Sequence, residues 1–421
     1  MTRIPRTDER RLWDSLMEMA RIGATPGGGV GRLALTDLDR EARDLFVRWA
    51  EDAGCTVRID RIGNIFARRS GGDESLPPVM TGSHLDTQPL GGRFDGIFGV
   101  LAGLEVVRTL NDAGIATRHP IEVVVWTDEE GARFRAGTAG SSAFTGLRSV
   151  DDMLALRDPD GKTLGAELAR IGYAGNAPVG GMAVAAFFEA HIEQGPILEA
   201  EGTTIGAVQG AQGQRCFLVT VEGEEGHAGT MPMDRRRDAL LGAARMVDAL
   251  NAIAFRHRPM PVITVGSLRV RPDSPNTIPG AVTFTIDSRH PDDATLDRVG
   301  AEMRSTCEDI ARDLDLALVM TETSHRASVS FDPDCVEAVR RAAARLGHTC
   351  RDIYSGAGHD ACNMAHITPT GMIFVPCEKG ISHNEKENAR PEDLAAGADV
   401  LLHVLVERAG AGAASPGAST V

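Results

Sequence analysis

The sequence predicts an α/β protein in which a smaller second domain interrupts the first. The chain has 421 residues, which is more than one hydrophobic core usually contains. Helical and strand-like patterns alternate over the first part of the chain, whereas the middle follows the order strand–helix–strand–strand–helix–strand. We therefore expect one domain at residues 1–211 and 328–421, with a ferredoxin-like domain inserted at 212–327.

The first domain is expected to contain a parallel sheet with helices on its faces. Short apolar runs at 79–81 and 121–126 indicate buried strands, and a last strand is predicted at 372–375. Ligands bind at the carboxyl ends of strands in such sheets, so residues that follow these runs are candidates for a site. Helical periodicity is found at 11–20, 37–53, 99–113, 333–346 and 391–408.

The second domain is predicted from strict alternation of apolar and polar residues. Phe217, Val219 and Val221 alternate in one run, which indicates a strand with one buried face. A Gly-rich stretch at 206–210 predicts a hinge before this domain. Its strands are predicted at 215–221, 262–270, 281–288 and 316–321, and its helices at 234–254 and 295–314.

Composition excludes several classes of partner and indicates a compartment. The net charge of -15 argues against nucleic acid and anionic membranes, because binding to either needs clustered Lys and Arg. No apolar run is long enough to span a bilayer. We expect a small-molecule substrate, about which the net charge says little because its pocket can be locally basic. The seven cysteines are odd in number and scattered, which predicts reduced thiols and a cytoplasmic location.

Side chains of the metal-binding type follow several of the strand-like runs. Divalent ions bind imidazole nitrogen and carboxylate oxygen, and a two-ion site needs one ligand that both ions share. We expect two divalent ions with Asp95 shared between them, zinc being the first choice and manganese, cobalt or nickel the alternatives. The predicted ligands are His84, Asp95, Glu130, His191 and His383.

Glu129 stands beside a predicted ligand and remains free to act as a base. It would take a proton from the attacking water and deliver it to the leaving amine. Asp86 would accept the second N–H of His84 and so fix its tautomer. Taken singly, a histidine after a strand is commonly a hydrogen-bonded turn residue, and a glutamate pair is commonly a solvated helix start. Their joint placement after strands favours a site.

These segments resemble the metal motifs of the M20-type metallopeptidase superfamily. The resemblance is closest to its amidohydrolase branch, which contains N-carbamoyl amino acid hydrolases, β-ureidopropionases and allantoate amidohydrolases. It implies a catalytic domain like that of the dinuclear-metal aminopeptidases and a ferredoxin-like lid domain that also forms a homodimer. The motifs that carry it are His84-Leu85-Asp86, Arg93-Phe94-Asp95-Gly96, Thr127-Asp128-Glu129-Glu130-Gly131, His191-Ile192-Glu193-Gln194-Gly195, Gly226-His227-Ala228-Gly229-Thr230 and Gly380-Ile381-Ser382-His383-Asn384.

The resemblance also implies substrate-binding roles. Arg289 matches the arginine that grips the substrate carboxylate, for which a guanidinium fork is suited. His227 and Asn276 match lid residues that bind substrate and polarise the scissile carbonyl, from the same subunit or across the dimer. Gln194 matches a residue near the carbamoyl end, and Gly358 a loop that lines the pocket. Without the resemblance, Asn276 reads as a turn residue and Arg289 as a surface charge.

The activity that follows is metal-dependent hydrolysis of the carbamoyl C–N bond of N-carbamoyl amino acids. Its products would be the free amino acid, ammonia and carbon dioxide. The segment from Gly82 to Pro89 resembles β-ureidopropionase-like members most closely, although the residues do not indicate the chirality of the substrate. Allantoate amidohydrolase is the main alternative, and an M20-type peptidase or a non-catalytic metal-binding scaffold are further ones.

Three other segments are not assigned a role in catalysis. Gly27-Gly28-Gly29 lacks the GxxxxGK[ST] pattern of a phosphate-binding loop. His359 opens a helical pattern and is predicted to have a structural role. Thr138-Ala139 departs from the Met-rich version expected in relatives, so the size preference of the pocket stays open.

Overall fold

The computed structural model describes residues 4–412, which form two compact units. The first unit contains the described residues up to 209 and from 330, and the second contains residues 210–329. The second unit thus begins two residues before the predicted insertion and ends two residues after it. No helix within 4–412 is long and apolar enough to cross a membrane.

The longer helices lie close to their predicted positions. Most predicted ends are correct within two residues, but the helix predicted at 234–254 begins at Ala239, where Asp238 caps it by accepting the N–H groups of Leu240 and Leu241. Five helices of five to eight residues were not predicted, because they are too short to show a clear period. The helices are α1 (Glu9–Met19), α2 (Asp37–Asp52), α3 (Ile97–Asp112), α4 (Ala139–Phe144), α5 (Val150–Ala155), α6 (Leu164–Ile171), α7 (Ile197–Glu201), α8 (Ala239–Ala254), α9 (Asp293–Asp313), α10 (Pro333–Leu346), α11 (Asp360–Met364) and α12 (Pro391–Ala409).

The strands correct one prediction directly. Residues 206–210, predicted as a hinge, lie inside the strand Ile205–Ala211, in which residues 206–208 pair with the strand Thr370–Val375. The boundary between the two units falls within this strand, after Gln209. The strands are β1 (Thr56–Ile59), β2 (Ile65–Arg69), β3 (Val79–His84), β4 (Ala116–Thr117), β5 (Ile121–Trp126), β6 (Ala186–Ile192), β7 (Ile205–Ala211), β8 (Gly213–Glu222), β9 (Gly226–His227), β10 (Val262–Thr264), β11 (Leu268–Arg271), β12 (Thr277–Ile278), β13 (Ala281–His290), β14 (Ala317–Arg326), β15 (Val329–Ser330), β16 (Cys350–Ser355), β17 (Thr370–Val375) and β18 (Ala411–Gly412).

The main sheet of the first unit is mixed rather than parallel. Its strands run in the order β1-β2-β5-β3-β6-β17-β7, with β16 beside β7. The central strands β5, β3, β6 and β17 are parallel, whereas β1 and β2 form an antiparallel hairpin and β7 runs antiparallel to β17. The predicted all-parallel sheet is therefore wrong at its edges, where short connections reverse the chain direction.

The centre of this sheet places the carboxyl ends of its strands along one edge. Every residue of β3, β5, β6 and β17 is buried, and α3 packs on β3 while α12 packs on α3 and β17. His84 pairs with Trp126 across β3 and β5, and His191 pairs with Phe374 across β6 and β17. The register therefore brings the residues at these strand ends into one crevice.

The second unit is an antiparallel sheet covered by two helices. Its order is β10-β13-β8-β14, with β11 also on β13. Phe217, Val219 and Val221 face α8 and α9 in its core, as their alternation predicts. The strand predicted at 262–270 is split into β10 and β11, both of which pair with β13. A separate pair, β9 and β12, lies outside this sheet.

Candidate metal centre

Asp95 lies between two groups of potential metal ligands. Its Oδ1 is 3.8 Å from Nε2 of His84 and 3.2 Å from Nε2 of His191, whereas its Oδ2 is 3.6 Å from Nε2 of His383. Nε2 of His383 is also 3.3 Å from Oε2 of Glu130. In each group, His84–Asp95–His191 and Asp95–Glu130–His383, one ligand atom from every residue lies within 4.8 Å of the others.

The fold delivers these side chains from neighbouring elements. His84 is the last residue of β3, His191 is next to last in β6, and Asp95 lies two residues before α3. Gly96 adopts a φ of 74°, and a Cβ there would lie 2.3 Å from the ring of His84. Only glycine therefore allows the chain to turn so closely beneath the imidazole.

Two of the imidazoles are oriented by backbone carbonyls. Nδ1 of His84 donates to the carbonyl of Asp86 at 2.9 Å, and Nδ1 of His191 donates to the carbonyl of Ile192 at 2.9 Å. In its neutral form each ring therefore presents Nε2 as an acceptor. Nε2 of His84 lies 3.8 Å from Asp95 Oδ1, which is itself an acceptor, and Nε2 of His191 lies 3.2 Å from the same oxygen and also accepts the backbone N–H of Gly96 at 3.2 Å. Acceptors that face one another need a positive charge between them, and imidazole with carboxylate suits a divalent transition metal.

Asp86 accepts the second N–H of His84, as predicted, but through its backbone carbonyl rather than its carboxylate. Its carboxylate lies 4.0 Å from Nδ1 of His84, because the ring folds back onto the backbone carbonyl of Asp86 instead. The carboxylate reaches across to the next loop and accepts the N–H groups of Glu129 at 3.3 Å and Glu130 at 3.2 Å. Asp86 thus orients both glutamates through their backbone.

The electrostatics of the cluster also favour a bound cation. Burial, followed by repulsion from other carboxylates such as Asp360 and Asp95, raises the pKa values of Glu129 and Glu130 well above the usual range. Burial opposes a charge on His191, but the hydrogen bond and charge of Asp95 raise its pKa to about 9. The carboxylate of Asp95 stays ionised despite burial, since His191 and His84 lower its pKa. A divalent ion would satisfy all of these groups.

Glu129 lies beside the first ligand group without belonging to it. Its Oε2 is 3.5 Å from Nε2 of His84, and its side chain is 10% exposed. The backbone N–H of Thr138 donates to the carbonyl of Glu129 at 2.7 Å, and that of Ala139 donates to Asp128 at 3.1 Å. The segment that departs from the expected pattern therefore supports the base through its backbone, where α4 begins.

Side chains orient the second ligand group. Gln88 Nε2 donates to Glu130 Oε2 at 2.8 Å. Gln194 Nε2 donates to Asp95 Oδ2 at 2.8 Å and to the hydroxyl of Ser382 at 3.2 Å. Oε1 of Gln194 is buried and has no hydrogen-bond partner among the described residues. Gln194 thus touches the shared ligand and keeps one acceptor for another molecule.

Sequence reasoning missed several buried polar residues around this cluster. Glu189 accepts from Ser83 Oγ at 2.6 Å and from the N–H of Ala361 at 2.9 Å, and Glu387 accepts from the N–H of Asp95 at 3.1 Å. Glu189 follows two phenylalanines in an apolar run and precedes His191 by two residues, so its burial on the same face of the strand as His191 could have been predicted from the sequence. Glu387 had no such signal, because it lies in a loop.

The loop from 355 to 359 contains two residues singled out from sequence. His359 is buried, with Nε2 2.9 Å from the Ser355 hydroxyl and its ring 4.6 Å from that of His191. Gly358 is exposed, and a Cβ there would meet no described atom within 4 Å. Its predicted role in lining a pocket stays a prediction.

The remaining predicted substrate residues lie in the second unit. His227 and Asn276 come together, since β9 pairs His227 with Thr277 and the N–H of Ala228 donates to the carbonyl of Asn276 at 2.9 Å. Both side chains are exposed. Arg289 lies on β13 and donates to both carboxylate oxygens of Asp287, at 2.9 and 3.0 Å. Binding of a substrate carboxylate by Arg289 would have to compete with Asp287.

Comparison with known proteins gives consistent matches. The sequence pattern of Peptidase family M20/M25/M40 matches residues 80–407. The chain is 48% identical over 404 residues to the N-carbamoyl-L-amino-acid amidohydrolase of Rhizobium meliloti, covering 96% of this chain and 97% of that protein. It is 35% identical to the allantoate amidohydrolase of Escherichia coli K12, covering 94% and 97%. The crystal structure of an amidase of the hydantoinase/carbamoylase family from Burkholderia multivorans is 58% identical, with a TM-score of 0.94 and coverage of 96% and 98%.

Proposed function

Since this chain belongs to the M20/M25/M40 peptidase family, in its hydantoinase/carbamoylase amidase branch, we propose that it hydrolyses the carbamoyl C–N bond of N-carbamoyl-L-amino acids. The products are the L-amino acid, ammonia and carbon dioxide. The observation that carries this proposal is Asp95, whose two oxygens face separate ligand groups with Glu129 alongside. Likeness to relatives named for N-carbamoyl-L-amino acids favours α-amino substrates over the β-ureidopropionase type.

The metal part of the proposal follows from the donor set. His84 and His191 with Asp95 would hold one divalent ion, and Glu130 and His383 with Asp95 would hold a second, with zinc the first candidate. When bound, such ions act as Lewis acids toward the carbamoyl oxygen and the attacking water.

Glu129 moves the proton in this reaction. Its carboxylate takes a proton from the attacking water and delivers it to the nitrogen of the C–N bond that breaks, so that this nitrogen leaves as a neutral amine. The backbone contacts from Asp86 and Thr138 hold the carboxylate beside the ligands without using its oxygens. Removing its ability to carry a proton should therefore stop chemistry and spare metal binding.

The substrate is oriented at its two ends. Gln194 keeps Oε1 as an acceptor for the NH2 group of the carbamoyl end, since its amide nitrogen is already bound to Asp95. Arg289 binds the carboxylate, displacing Asp287, and His227 and Asn276 contact the carbonyl. We further propose that the second unit is a ferredoxin-like lid, that the protein is a homodimer, and that it acts in the cytoplasm.

The test is ammonia release by protein freed of metal and then reconstituted with zinc or manganese. An N-carbamoyl-L-α-amino acid, its D-enantiomer, N-carbamoyl-β-alanine and allantoate are compared at equal concentration, with a chelated sample as control. Preference for the L-compound, abolished by the chelator, supports the proposal. Turnover of allantoate alone would assign the protein to the alternative activity, and no turnover of any compound would refute hydrolysis of ureido substrates.

A further inference from the structure

Glu387 is a buried carboxylate close to the second ligand group that the reaction itself does not use. Its side chain is 1% exposed, and it lies four residues after His383 in the loop before α12. A buried carboxylate is costly unless hydrogen bonds satisfy both of its oxygens. Its partners therefore indicate why it is there.

Both oxygens of Glu387 bind segments that carry metal ligands. Oε1 accepts the backbone N–H of Phe94 at 2.9 Å and that of Asp95 at 3.1 Å. Oε2 contacts the hydroxyl of Ser382 at 3.2 Å, and Ser382 precedes His383. One side chain thus joins the loop of the shared ligand to the loop of His383.

Ser382 extends this link to the ligand atom itself. Its hydroxyl lies 2.8 Å from Asp95 Oδ2, which is the oxygen that faces His383. The hydroxyl has one proton, for which Asp95 Oδ2 at 2.8 Å and Glu387 Oε2 at 3.2 Å compete. Donation to Asp95 fixes the direction in which that oxygen presents its remaining lone pair. Glu387 and Ser382 therefore act on the same side of Asp95.

A glycine in a neighbouring segment, Gly92, leaves room for this carboxylate. A Cβ on Gly92 would lie 2.0 Å from the carboxylate of Glu387, so any other residue at 92 would push Glu387 out of place. Glu385, two residues earlier, faces a different loop and accepts the N–H of Gly27 at 3.2 Å. The glycine-rich segment at 27–29 thus borders the His383 loop.

We propose that Glu387 is a positioning residue for the ion held by Asp95, Glu130 and His383, and that it has little influence on the ion held by His84 and His191. This inference rests on the proposed two-ion site. A purely structural role for Glu387 gives a different expectation, because a residue that only stabilises the fold would change the affinity for both ions or for neither. Residues that orient ligands typically change metal affinity by about 10- to 100-fold.

Two substitutions give opposite expectations. In Glu387→Gln the amide oxygen can still accept both N–H groups, and the amide nitrogen can donate to Ser382, which keeps its proton for Asp95. In Glu387→Ala all of these contacts are lost. Glu385→Gln is the matched control, since it changes the same residue type in the same loop without contact to a ligand.

The experiment titrates metal-free full-length protein with zinc in a calorimeter and measures bound zinc by mass spectrometry. We expect wild type, Glu387→Gln and Glu385→Gln to bind two ions. Glu387→Ala should keep one ion at wild-type affinity and bind the other about 10- to 100-fold more weakly. The ion weakened should be the one lost in His383→Ala, and excess zinc should restore activity to Glu387→Ala.

Wild-type affinity for both ions in Glu387→Ala would overturn the inference while leaving the two-ion site intact. Failure of wild type to bind two ions would instead refute the site on which it rests. Should Glu387→Ala fail to fold, Gly92→Ala displaces the Glu387 carboxylate while leaving the Ser382 hydroxyl in place. Selective weakening of the same ion there supports the role, and two wild-type affinities contradict it.

Discussion

The two sides of Asp95 are built by different means. On the strand side, which we define as His84 and His191, both side chains are at most 2% exposed and both rings are held by backbone carbonyls. On the loop side, which we define as Glu130 and His383, the His383 side chain is 51% exposed. The strand side is therefore oriented by backbone carbonyls, whereas the loop side is oriented by neighbouring side chains.

This difference predicts which substitutions would disturb the ligands on each side. Every residue has a backbone carbonyl, so the orientation of the strand side depends on the fold and tolerates changes in neighbouring side chains. The loop side depends on Gln88, Ser382 and Glu387, any of which a single substitution removes. We therefore expect the loop-side ion to bind more weakly and to exchange first.

Chelation should produce the largest effect and test this order. Complete removal of metal should abolish hydrolysis, because the Lewis acid is lost. Graded chelation should remove one ion before the other, and His383→Ala should lack the ion that leaves first. Loss of both ions in a single step would contradict the distinction between the two sides.

Glu129→Gln should lower the rate at least ~100-fold, the low end for acid–base catalysis, while both ions remain bound. Glu129 lies 3.5 Å from a strand-side ligand, so the variant tests whether it is a base or a further ligand. Rates are measured by ammonia release and ion content by mass spectrometry. Near-normal turnover would exclude the role of base, and loss of an ion would make Glu129 a ligand.

The variants His191→Ala and His383→Ala should differ in their free energy of unfolding. In metal-free protein, His191→Ala leaves the buried Asp95 carboxylate without its nearest cationic partner and should lower the free energy of unfolding by about 3 kcal/mol. Because the His383 side chain is half-exposed, His383→Ala should lower the free energy of unfolding by less than ~0.5 kcal/mol. Urea unfolding of both variants in chelator measures the difference, and equal losses would show that the two sides are equally integral to the fold.

Gln88→Ala should have the smallest effect, about a 10-fold loss of affinity for the loop-side ion. The substitution removes the 2.8 Å hydrogen bond to Glu130 and leaves the strand-side ligands untouched. Zinc titration against wild type provides the measurement. A change confined to the strand-side ion would reverse the proposed assignment of ligands.

Prediction from sequence succeeded where the signal is periodic. The buried strand at 121–126 and the helix at 333–346 have the predicted bounds, because a continuous apolar run and an amphipathic repeat are local properties. The short edge hairpin of β1 and β2 was missed. The strand over residues 206–210 was also missed, because its partner, Thr370–Val375, is distant in the chain. The structure also brings the five predicted metal ligands together around Asp95, although their role in binding ions stays a proposal.

By itself, the sequence determined the alternating elements of the first unit, the strand–helix order of the second, and the position of the candidate ligands near the carboxyl ends of strands. Those features depend on residue type and spacing within a few turns of chain. Only the tertiary structure decided that the carboxylate of Asp86 orients Glu129 and Glu130 and that Glu387 joins the loops of Asp95 and His383. The physical reason is that hydrogen-bond partners are chosen by distance in space, and Glu387 lies 292 residues from Asp95 along the chain.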